Sequence, residues 1–230
     1  MKVLVLLFIM GLSLWAPAFA DKLPIGLEAM WDAGDKAFQE KHYSDSAGWF
    51  EKCVAYADFV KQPKSRRAAL YRKLGRALVE SGKFDKAIET LNRALDLQDQ
   101  VFAEQAGASG GLADSTNKTA REMANTEAYD ALSAACAGQH RYQEAAEWLI
   151  KEQNAHRQAF SQVPSSGLLE CRIGGWYWKA GMKAPAEKWL SKARTLLQAD
   201  LDSGKSLAPD VEREMLKNAD SALAEIRSSR

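Results

Sequence analysis

The stretch AALYRKLGRALVESGKFDKAIETLNRALDLQDQV, residues 68–101, recurs as a pattern along the chain, and no other feature narrows the possible folds as far. Tyr71, Leu74, Gly75 and Leu78 share one face of a helix. Gly82 marks a turn, and Phe84, Ala87, Leu91 and Ala94 share the face of a second helix. The same frame over 27–60 gives Met30, Ala33, Gly34 and Ala37, then Tyr43, Ser46, Phe50 and Cys53. Over 126–159 it gives Tyr129, Leu132, Ser133 and Cys136, then Tyr142, Ala145, Leu149 and Glu152. Over 167–200 it gives Glu170, Ile173, Gly174 and Tyr177, then Gly181, Ala186, Leu190 and Ala193. A second marker keeps the same register: WFEK at 49–52, WLIK at 148–151 and WLSK at 189–192, with TLNR in the remaining copy. A chain made of such units cannot bury the apolar faces of one pair alone; it must stack its pairs.

The pattern resembles the tetratricopeptide repeat, a 34-residue helix–turn–helix unit whose first helix carries W-x2-L-G-x2-Y and whose second carries spaced Ala and Phe. The resemblance implies an all-α solenoid of antiparallel helix pairs. It also implies a module that binds a peptide segment or helix of another protein in a concave groove lined by first helices, with no enzymatic activity and no cofactor. Within the stretch IGGWYWKAG, residues 173–181, Gly174 is expected where a facing helix approaches closely and Gly181 at the helix end. Tyr177 is then core, and Trp178 turns toward the groove. Trp49, Trp148 and Trp189 read as packing between helices. After the repeats, Val211, Met215, Ala219, Leu223 and Ile226 line one side of a segment spanning 209–227, as expected of a terminal capping helix.

The spacing is uneven. Tyr43 to Phe84 and Tyr142 to Lys183 are both 41 residues, while Phe84 to Tyr142 is 58. The Gly-rich run AGASGGLADSTN, 106–117, reads as a mobile loop within the long interval. Thr119 and Glu122 are spaced as a capping box opening the next helix.

The first twenty residues fall outside the repeats. Lys2, an apolar run from Val3 to Trp15 and the ending Ala18-Phe19-Ala20 predict a signal peptide, with a mature start at Asp21 and a periplasmic or secreted protein. Residues 21–230 then form the repeat domain, with no stable membrane insertion after cleavage. Without that leader 30 basic residues face 30 acidic ones, a balance that offers nucleic acid no global attraction. Cys53, Cys136 and Cys171 are too few for a disulfide framework, although one pair could form in an oxidising compartment.

Catalytic motifs are weak. GASGG at 107–111 matches G-x-S-x-G around Ser109 but lacks the strand and helix that such an elbow needs. Cys136 and His140 could share a metal from one helical face, yet nothing completes the set, and a turn suits His140 better. Binding candidates are clearer. Seven basic residues and no acid lie between Lys61 and Arg76, and Arg72 and Arg76 stand four apart on the first helix of their repeat. Trp31 and Asp35 hold the matching places one repeat earlier. Together with Trp178 these are the expected contacts for a partner protein or peptide. A solvated basic face paired with neighbours such as Glu80 is the competing reading, and a small acidic ligand or glycan held by Trp31, Trp178 and the two arginines is the competing function.

Overall fold

The computed structural model describes residues 26–108, 114–159, 167–204, 206 and 208–229. The leader at 1–20 and Ser109 lie outside them. Among the described residues the chain is helical throughout, in nine helices: α1 (Leu27–Gln39), α2 (Tyr43–Phe59), α3 (Lys64–Glu80), α4 (Phe84–Ala108), α5 (Asp114–Gly138), α6 (Tyr142–Ala159), α7 (Leu168–Lys179), α8 (Lys183–Asp202) and α9 (Pro209–Ser228). Each helix packs on the next, α3 also meets α5, and α9 closes over both α7 and α8. This is the all-α solenoid of antiparallel helix pairs with a C-terminal capping helix. None of the described helices is long and apolar enough to cross a membrane.

Four turns within the pairs share one design. In each, a residue in the left-handed region ends the first helix: Lys41 (φ 62°), Gly82 (φ 74°), His140 (φ 61°) and Gly181 (φ 73°). The following N–H then donates back to a carbonyl five residues earlier: His42 to Ala37, Lys83 to Leu78, Arg141 to Cys136 and Met182 to Tyr177, all at 2.8–2.9 Å. This satisfies carbonyls that a helix end would leave bare. A lysine and a histidine in that conformation cost about 1 kcal/mol each relative to glycine, so the turn is imposed by the packing on both sides of it.

The contact inside each pair depends on one small residue. A side-chain carbon added at Gly34, Gly75 or Gly174 would lie 2.8 Å from Phe50, 2.5 Å from Leu91 or 2.7 Å from Leu190. Ser133 holds the same register in the third pair and is fully buried. Between pairs the filling is apolar. Phe50, Cys53 and Ala57 of α2 meet Leu70, Leu74 and Leu78 of α3, and Ile173 of α7 meets Ala146 and Leu149 of α6.

Several sequence expectations require correction. The run 106–117 is not a continuous loop, because α4 continues through Ala108 and α5 begins at Asp114. Thr119 and Glu122 therefore lie inside α5, past the first turn that a capping box would close. Glu122 instead accepts a hydrogen bond from the Tyr129 hydroxyl at 2.9 Å. On α9 the inward set is Ala219, Leu223 and Ile226 with Glu212, which is 5% exposed, whereas Val211 is 47% exposed. One residue of helical rotation, about 100°, separates the two positions. The cysteines are three free, buried thiols on three different helices. Burial pushes all three up, that of Cys53 to about 11, which keeps the nucleophilic thiolate scarce.

Candidate functional site

The first helices of successive pairs, α1, α3, α5 and α7, carry a connected series of charged and aromatic side chains. At one end Arg66 of α3 pairs with Glu28 of α1. The Trp31 indole N–H donates to Asp35 Oδ2 at 2.8 Å, and Lys73 Nζ donates to Asp35 Oδ1 at 2.6 Å. The same ammonium stands 5.4 Å from the Trp31 ring centroid. Further along, Arg76 lies over the Phe38 ring at 5.1 Å and donates to Glu127 Oε1 of α5 at 2.7 Å. Arg72 approaches the other oxygen of Glu127 at 3.8 Å and donates to Gln98 Oε1 at 3.3 Å. Arg172 of α7 then donates to Asp130 of α5 at 2.6 Å.

Every step between neighbouring first helices is thus bridged by an opposite-charge pair. The two arginines are not a free basic face, nor is Glu80 their partner; Glu127, about fifty residues on in sequence, divides its carboxylate between them. Burial pulls the Arg72 guanidinium below its ordinary value while Glu127 opposes that pull. A guanidinium remains protonated regardless, so the pair stays ionic. Beyond Asp130, Glu152 of α6 is pushed up to about 7, mainly by burial and further by Asp130, against the opposing charge of Arg172. His156 stands 3.7 Å from its carboxylate.

Trp31, Asp35, Arg72 and Arg76 are brought onto one face. Trp178 is placed elsewhere: it packs against the cluster formed by Cys171, Leu190 and Leu223, as do Met215 and Leu216 of the capping helix. The physical reason is that α9 covers the side of α7 that an additional pair would otherwise cover. Of the residues that complete the face, Lys73 was read from sequence only as one of the seven basic residues from Lys61 to Arg76, and Phe38, Glu127, Asp130 and Arg172 were not singled out as contacts. Their only signal is that acids and bases alternate between consecutive first helices, which becomes visible once the pairs are aligned.

The W-x-x-K recurrence marks a different surface. Trp49, Trp148 and Trp189 are half-buried and pack against successive apolar clusters, as expected of inter-helix packing. Each also lies beneath the lysine three residues on. Lys52, Lys151 and Lys192 stand 4.1, 3.7 and 5.2 Å from the respective ring centroids. Residues three apart are neighbours on a helix, so each lysine shields the outer face of its indole and is attracted by the ring quadrupole. His140 and Cys136 are separated by the turn: the thiol is buried, while His140 Nδ1 meets the Tyr142 hydroxyl at 2.7 Å.

No protein-family model and no curated protein matches the chain. Solved structures do. A single-substitution variant from Podosopora anserina, described as "kinesin light chain nearly identical TPR-like repeats", superposes with a TM-score of 0.63 at 18% identity, covering 88% of this chain and 93% of its own. A second structure with the same description and without that substitution gives 0.58 at 16% identity, over 88% and 95%. At such identities the likeness concerns the fold, which is TPR-like.

Proposed function

We propose that this chain is an exported protein-interaction module, an adaptor or scaffold whose first-helix face receives a peptide segment or helix of a partner protein. The observation that carries the proposal is the linked face from Glu28 to Arg172, in which two aromatic rings, Trp31 and Phe38, stand under cations and the charges alternate across four helices. Tryptophan and arginine most often dominate interface energies. Half-exposed ion pairs contribute about 0–1 kcal/mol each, so a partner bearing its own acids and bases could exchange with them at little cost. Trp31, Asp35, Arg72 and Arg76 are the assigned contacts, joined by Lys73 and Glu127. Trp178 is left to the capping contact. A small acidic ligand is disfavoured because Glu127 already occupies both arginines. The apolar leader with its Ala-x-Ala ending supports export, and intact-mass measurement of the secreted form should begin at Asp21.

The test is capture of partners from the source's envelope fraction by the wild type and by a double Arg72→Ala, Arg76→Ala variant. The variant should retain its helical circular dichroism and lose salt-sensitive capture. Equal capture by both proteins would sink the assignment.

A further inference from the structure

Where α6 meets α7, two glutamates shielded from water are supported unequally. Glu170 of α7 is fully buried and well held: Lys192 Nζ donates to its Oε1 at 2.8 Å and Gln153 Nε2 at 2.7 Å. Glu152 of α6 has no such support. In the repeat frame it stands where Cys53, Ala94 and Ala193, all inaccessible, stand in the other pairs, so a carboxylate occupies a place that elsewhere takes a small apolar side chain. Its Oε2 is buried without a hydrogen-bond partner among the described residues, and only 14% of the side chain is exposed. The helix packs against α5 and α7. Asp130 acts on Glu152 from α5 and Arg172 from α7, while His156, one turn on along α6, stands 3.7 Å from Oε1. The fixed cation of this group is already engaged, since Arg172 donates to Asp130 at 2.6 Å.

Access to water decides where the arginine goes. The side chains of Arg172 and Asp130 are 39% and 50% exposed, and an exposed pair of this kind gains little over what solvent offers each partner. A carboxylate shut away from water has no such alternative and must find a cation or keep a proton. With Arg172 on Asp130, the arrangement favours the protonated acid at Glu152, as its burial and the charge of Asp130 both require. Once ionised, Glu152 competes for the cation and wins, because Asp130 falls back on water. We propose that Glu152 is a proton-operated latch at the joint between the third and fourth pairs. Its protonated form leaves Arg172 to bridge α7 to α5. Its ionised form, having released the proton to water, draws Arg172 onto α6 and opens that bridge. The bridge is the last link along the first helices, so acid ties the fourth pair to the third on that face and base unties it. The inference concerns the joint itself and holds whether or not a partner protein is received there.

Double-mutant cycles of Asp130→Asn and Arg172→Gln test this, run by urea unfolding of the full chain near pH 5.5 and near pH 8 in the wild-type and Glu152→Gln backgrounds. At the acid pH the pair should couple, changing the unfolding constant about threefold beyond additivity, as for a half-exposed ion pair. Near pH 8 the coupling should vanish in the wild type and persist with Glu152→Gln, which removes the charge and keeps the shape. The Glu152 carboxyl carbon, followed by NMR and identified by its loss in that variant, should titrate at about 7 in the wild type. It should titrate lower in Asp130→Asn, which removes the like charge and releases Arg172. His156→Gln should leave both results in place, which sets histidine titration apart. None of the four positions is fully buried, so the variants should fold, which circular dichroism checks. In the wild type alone, the Arg172 Nε–H resonance should shift with the Glu152 midpoint. A stationary Arg172 resonance, a coupling equal at both pH values, or a Glu152 midpoint in the ordinary carboxylate range overturns the inference. So does a coupling lost near pH 8 with Glu152→Gln as well.

Discussion

The junction between the first and second pairs and the junction between the second and third solve one packing problem in opposite ways. Where α2 meets α3 the connection is short and the space is filled by Phe50, Cys53, Ala57, Leu70, Leu74 and Leu78, all essentially inaccessible. Where α4 meets α5 and α6, the buried part, Leu91, Ala128, Ala131 and Leu132, gives way to Asn125, Tyr129, Asp99 and Arg121. A solenoid buries apolar area only where a neighbouring pair can reach. At this junction polar side chains facing one another take the place of leucine, and each must find its partner across the helices.

Substitutions at the two junctions should therefore differ in size and in sign. Leu70→Ala, in the dry junction, should lower stability by about 3 kcal/mol, read from the urea midpoint at unchanged slope. A loss under about 1 kcal/mol would mean that the apolar junction is not what joins the pairs. Trp148→Ala at the second junction should cost about 2 kcal/mol, since the ring covers the Leu91 cluster and stacks on Tyr129 yet remains half-buried. A cost equal to that of Leu70→Ala would erase the contrast between the two junctions.

Glu152, just beyond the polar junction, extends the contrast to pH. Its folded value near 7 stands above the ordinary carboxylate value of 4.5, so between these limits the native state binds more protons than the unfolded chain. Stability from this group is therefore greatest on the acid side and falls as pH rises toward 7. Glu152→Gln should match the wild type near pH 5 and exceed it by about 1–2 kcal/mol at pH 8. Asp130, Arg172 and His156 remain in both proteins, so parallel melting curves across this range would show that Glu152 ionises at its ordinary value. The smallest effect is expected at Asn125, buried on α5 beside Tyr129. Asn125→Ala removes the unpaired oxygen together with the amide's bond to Tyr129, so gain and loss offset and stability should change by less than about 1 kcal/mol; a larger loss would show that the bond to Tyr129 outweighs the relief of the empty oxygen.

The all-helical fold was legible because the recurrence at 68–101 carries both its apolar spacing and its turn glycine, and because the tight contact at Gly34, Gly75 and Gly174 shows as a small residue at a fixed place. The lengths of α4 and α5 were not. Gly107, Gly110 and Gly111 suggest a break from end to end of the run, yet Asp114, a residue type favoured at helix starts, already opens α5. The face was half legible. Trp31 with Asp35 and Arg72 with Arg76 could be read from spacing within one helix. Glu127 could not, because its meeting with both arginines depends on the offset between α3 and α5, a property of stacking that no local pattern encodes. Trp178 shows the same limit, since its surroundings are set by α9, far along the chain.

The single missing side-chain carbon in three of the four pairs has a consequence for shape. Because Gly75 lets Leu91 sit 2.5 Å from where that carbon would be, one methyl group there would act as a shim, prising α3 from α4 and tilting every pair beyond it. Gly34 and Gly174 offer the same adjustment at other points along the stack. A lineage could widen or narrow its receiving surface by such remote steps, retuning the curvature of the whole array while each residue that touches a partner stays as it was.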